Sequence, residues 1–72
     1  MTGNRTLASR ARALADGAGR GSIERAACLC AAVALDESRT LDGARRVLDD
    51  ADELDIRERA TQILTELEEA AT

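Results

Sequence analysis

Residues 26–35 read "AACLCAAVAL", ten positions without a charge or a hydroxyl in a chain that is 33% charged. Wound as a helix at about 100° per residue, this segment carries two apolar faces. One holds Ile23, Ala26, Leu29, Cys30 and Val33; the other holds Cys28, Ala31, Ala32 and Leu35. A helix on the surface of a domain is normally apolar along one stripe only, so this one is covered on two sides. The fold turns on which face meets the rest of the chain.

An internal echo supplies one answer. "NRTL" at 4–7 returns as "SRTL" at 38–41, and a shift of 34 pairs the two halves without a gap. Nine of the 34 pairs are identical: Arg5/Arg39, Thr6/Thr40, Leu7/Leu41, Arg12/Arg46, Leu14/Leu48, Asp16/Asp50, Glu24/Glu58, Arg25/Arg59 and Ala26/Ala60. Leu29/Ile63 and Val33/Leu67 are close substitutes. The chain therefore reads as a single helical domain, 1–72, built of unit one (4–37) and unit two (38–71). In unit two the phase of the last helix is plain. Ile56, Ala60, Ile63, Leu64 and Leu67 form one stripe, opposite Gln62, Thr65, Glu66 and Glu69. Carried back through the repeat, that phase turns Leu29 and Val33 inward and leaves Cys28, Ala31, Ala32 and Leu35 at the rear. The rear face is then covered either by another chain or by a bundle that wraps this helix centrally. The expectation adopted is the first: Cys28, Ala31, Ala32 and Leu35 form an interface, with a second copy or a protein partner.

Each unit reads as two helices. Asn4 and Ser38 stand at matching N-cap positions. The first helix runs to about Asp16, where Gly17 suits a left-handed C-terminal position. Ser22 caps a second helix, ending near Leu35. Ser38 opens the third, "DDADELD" (49–55) is its exit, and Asp55 with Glu58 resembles a capping box for the fourth. No Pro interrupts these segments and no strand alternation occurs. With short connections, successive helices pack antiparallel. The fold class expected is all-α, four short helices as two helical hairpins in a compact bundle or mini-solenoid.

A period of 34 residues also belongs to tetratricopeptide repeats, but the aromatic and Gly positions of that pattern are unfilled here. "DIRERATQIL" (55–64), with Asp55, Arg57, Ala60 and Leu64, resembles the second helix of a HEAT repeat, D-x-R-x-x-A-x-x-x-L. The resemblance implies structural roles for Asp55 and Arg57, and stacked helices that present a protein-binding surface. Unit one departs from the pattern, with Gly21 and Ile23 at the corresponding positions, and the period is short for that family.

Composition narrows the function. Fifteen Ala stand against nine Leu, three Ile and two Val, with no Phe, Tyr or Trp, so the core is thin and self-association is expected. His is absent, which removes the imidazole base, the Ser-His and Cys-His pairs and the commonest nitrogen ligand for metals. A non-enzymatic protein without a cofactor is therefore expected. Without aromatics there is no platform for stacking bases, and a pI near 4.7 also argues against nucleic acid. No apolar run approaches the length of a membrane span, and no targeting segment follows the first Arg, so a cytoplasmic setting is expected. All ten basic residues are Arg, a pattern of GC-rich or salt-adapted sources. Residues 1–35 carry a net charge of +3 and residues 36–72 of −7, a polarity that orients pairing.

The remaining signals have ordinary explanations. Cys28 and Cys30 point about 200° apart on a helix and cannot bridge each other. By the phase above, Cys30 is the core thiol and Cys28 the rear one. Arg20, Gly21 and Ser22 place a cation and free amides at a helix start, where an anion could bind, though no phosphate-loop pattern surrounds them. The acidic run of Asp49, Asp50, Asp52, Glu53 and Asp55 lacks the Gly and terminal Glu of a calcium loop and reads as a solvated turn. Arg12–Asp16 and Arg46–Asp50 are spaced as i,i+4 ion pairs. Arg5 and Arg12, on one side of their helix, leave one competing reading, a nucleic-acid or ribonucleoprotein accessory using the Arg-bearing first unit. The reading adopted is a small adaptor, regulator or assembly subunit.

Overall fold

The computed structural model describes residues 3–71. Four α-helices follow one another, α1 (Asn4–Asp16), α2 (Ile23–Asp36), α3 (Leu41–Asp49) and α4 (Leu54–Ala71), and no strand occurs among the described residues. The protein is all-α. Helices α1, α3 and α4 each pack most heavily on α2, which makes the "AACLCAAVAL" helix the centre of the bundle.

The face that α2 turns inward is the one expected outside. Cys28, Ala31 and Leu35 are completely buried and Ala32 nearly so, together with Ala27 and Ala34. These four residues are core, and the interface assigned to them does not exist on this surface. Ile23, Leu29 and Val33 are instead 52%, 40% and 50% exposed. Both faces are apolar, so hydrophobicity alone cannot choose between them; side-chain size can. A face made mostly of Ala and Cys, with Leu35 near its end, lets neighbouring backbones approach closely, and three helices pack around this one. In α4 the expected phase is observed: Ala60, Ile63 and Leu64 are completely buried and Leu67 is 5% exposed. The core is completed by Leu7, Ala8, Ala11 and Ala15 from α1 and by Ala44 and Leu48 from α3.

Local chemistry fixes the ends. Ser22 caps α2, its Oγ accepting from the Arg25 N–H at 3.1 Å and donating to the Gly19 carbonyl at 2.6 Å. Thr40, not Ser38, caps α3, accepting from the Gly43 N–H at 3.0 Å. A side chain at Gly43 would crowd that cap, since a Cβ there would lie 3.3 Å from Thr40 Oγ1 and 3.2 Å from Ser38 Cβ. Asn4 is not a cap either. Its amide donates to the Ser38 and Thr40 carbonyls at 2.8 and 3.1 Å, tying the start of α1 to the turn before α3. Gly17 closes α1 in a right-handed conformation (φ −83°), and the left-handed glycine is Gly21 at φ 74°, one residue before the α2 cap. Helix α4 begins at Leu54, so Asp55 lies inside the first turn, where its charge suits the helix dipole. Arg57 reaches from there to the Asp49 carbonyl at 3.4 Å.

Candidate functional site

What α2 leaves uncovered defines the site. Ile23, Leu29 and Val33 face outward, and beside Leu29 and Val33, between α2 and α3, lies an open groove of about 280 Å³ lined by Leu29, Cys30, Val33, Val47, Leu48 and Ala51. Every lining side chain is apolar or a thiol. Pockets that orient a small molecule combine an apolar wall with a few convergent polar groups, and these are missing here. Such a lining suits apolar groups. A second depression of about 440 Å³, between α1 and α4, is bordered by Arg10 and Glu66 around Leu14, Leu67 and the alanines at 13 and 70. It is the more polar of the two.

The other side of α2 is fastened by charge. Arg59 of α4 grips the Glu24 carboxylate with two parallel bonds, Nε to Oε2 at 2.8 Å and Nη2 to Oε1 at 2.9 Å. The same guanidinium reaches Gln62 at 3.2 Å and Glu66 at 3.4 Å. This fork holds the Glu24 carboxyl below its ordinary value and raises Arg59 further above an already high one. Arg25 donates to the Ala15 carbonyl at 3.0 Å, and Arg12 pairs with Asp36 across the α1–α2 seam. The expected Arg12–Asp16 pairing is thus replaced by a tertiary one. Arg46–Asp50 forms no ion pair among the described residues either; its neighbour Arg45 binds Glu68 of α4 at 3.0 Å and Asp42 at 3.6 Å. Long Arg side chains reach carboxylates on adjacent helices as easily as those one turn away, and a bond between helices gains from geometry already fixed by packing.

The two thiols exchange their expected places. Cys28 is completely buried, and burial pushes its thiol above the ordinary range. Cys30 is partly exposed in the groove wall. Of the anion-site residues, Ser22 spends its hydroxyl on the cap, while Arg20 and Gly21 are exposed. No group of three or more His, Cys, Asp or Glu among the described residues is placed to hold a metal ion. None of the described helices is long and apolar enough to cross a membrane.

The groove-facing strip was visible in the sequence as a helical row of large apolar residues. Its exposure was not, because the repeat assigned it the buried phase of α4. No protein-family model matches the chain, and neither does any curated protein or solved structure.

Proposed function

We propose that this protein is a small, non-enzymatic protein–protein interaction module that docks through the outer strip of α2 and the groove beside α3. One observation carries this: Ile23, Leu29 and Val33, three of the four large aliphatic residues of the central helix, are about half exposed, while Leu35, Cys28 and the alanines at 27, 31, 32 and 34 fill the core. A folded monomer gains by burying large apolar side chains in preference to small ones, at about 25 cal/mol per Å². Large residues kept outside, next to an apolar groove, mark a surface that is covered in use. The absence of His supports a binding role over a catalytic one. A cytoplasmic adaptor, regulator or assembly subunit fits these features.

The test is affinity capture with wild type and Val33→Asp. Val33 is 50% exposed, so the variant stays folded, which circular dichroism checks. A partner docked on the strip is lost with Val33→Asp. Equal capture of the same partner by both forms rules out this surface.

A further inference from the structure

We infer that the occupant of the strip is a second copy of this chain, its α2 laid antiparallel on the first about a two-fold axis near Leu29. The inference rests on the docking reading above and adds the identity of the partner. A two-fold interface uses one patch twice, so the patch must complement its own inverted image. Charge at the two ends of α2 does so. Arg20 lies just before the start of α2 and Glu37 is its C-cap; both are exposed, and neither forms an ion pair among the described residues. Each also opposes the dipole of its own helix, a cation at the positive end and an anion at the negative end. An antiparallel copy brings each Arg20 to the other copy's Glu37 and sets the two dipoles in opposition.

The apolar residues agree on the register. Pairing Arg20 with Glu37, Ile23 with Val33, and Leu29 with itself gives midpoints between Cys28 and Leu29, at Cys28 and at Leu29, which differ by at most one residue. An antiparallel alignment centred between Cys28 and Leu29 sets Arg20 opposite Glu37 and brings the other two pairs to within about one residue of register. The groove lined by Cys30, Val33, Val47 and Ala51 then lies beside the axis, placed to receive the apolar side chains of the opposite strip, as buried anchors enter pockets at the centre of stable interfaces. A foreign helix of uniform charge would satisfy only one end of the strip. A second copy satisfies both.

Sedimentation of the full chain from about 10 μM to about 1 mM tests this, the range in which interfaces at the small end of the known sizes associate. The wild type is expected to shift from monomer to dimer, and Leu29→Asp to stay monomeric with its helicity intact. Arg20→Glu and Glu37→Arg are each expected to weaken the dimer about three- to tenfold, and the two together to restore it. A wild type that is monomeric throughout overturns the self-pairing while leaving the docking surface to be judged by capture with Val33→Asp. A dimer that Leu29→Asp does not weaken overturns the location. Failure of the double charge reversal to restore what the single ones lose overturns the antiparallel register.

Discussion

Helices α2 and α4 are aligned by the 34-residue shift, yet they bury opposite sides. Ile63 and Leu67 of α4 lie in the core, and their counterparts Leu29 and Val33 of α2 face out. Conversely, Thr65, Glu66 and Glu69 are exposed on α4, where α2 has the buried Ala31, Ala32 and Leu35. The difference lies in what the second face offers. On α4 it is polar, so only one orientation is open. On α2 it is apolar and small, so the helix can turn around, and the small face gives the closer approach to three neighbours. Similarity between two helices therefore fixes their secondary structure without fixing their rotation.

The largest effects should come from truncating matched positions. Ile63→Ala is expected to cost about 2–5 kcal/mol, while Leu29→Ala, its counterpart, stays within about 0.5 kcal/mol at concentrations where the chain is monomeric. Urea denaturation of both variants measures this, and similar losses would erase the contrast between the two helices. Next comes overpacking. Ala31→Leu adds volume to a filled core and should cost about 1–3 kcal/mol, whereas Thr65→Leu, at the corresponding place on α4, should be close to neutral. A neutral Ala31→Leu would mean that this face of α2 is open after all.

The thiols sharpen the same comparison within α2. Labelling with a maleimide in native buffer should modify Cys30 readily and Cys28 only as the chain unfolds, read by mass spectrometry with and without denaturant. Reversed order would restore the phase expected from the repeat. The smallest effect is the ion-paired clasp that joins α2 to α4. Because Arg59 depresses the Glu24 carboxyl below its ordinary 4.5, its contribution is complete above that value and is lost as pH falls through the depressed one. Glu24→Gln should therefore lower stability slightly at neutral pH and converge with wild type under acid conditions, as thermal melts across about pH 7 to pH 3 would record. A constant difference across that range would sever the link to the carboxylate.

Much of the architecture was legible beforehand. The all-α class and the extents of α1 and α2 follow from periodicity and, for α2, from its cap, since Ser22, the Gly-rich turn and the apolar spacing act locally. The start of α3 was misplaced because Ser38 and Thr40 are both good caps, and only the close approach at Gly43 favours Thr40. The site was legible in its residues and not in its orientation: Leu29 and Val33 stood out as a stripe, but whether a stripe faces in or out is decided by which neighbours can come nearest. Ion pairs were misassigned for a similar reason, since i,i+4 spacing says nothing about an adjacent helix such as α4, which supplies Glu68 to Arg45.

The amide of Asn4 has a consequence for which residues this position tolerates. Both of its protons are spent on main-chain carbonyls of the Ser38–Thr40 turn, two acceptors that have nothing to offer an anion. Aspartate has the same shape, and in the first turn of α1 it would suit the helix dipole better. Here it would set a carboxylate against two oxygens and turn both bonds into repulsions. Exchanging one NH₂ for an oxygen, as hydrolysis of the amide does, would thus convert a latch between the beginning and the middle of the chain into a wedge.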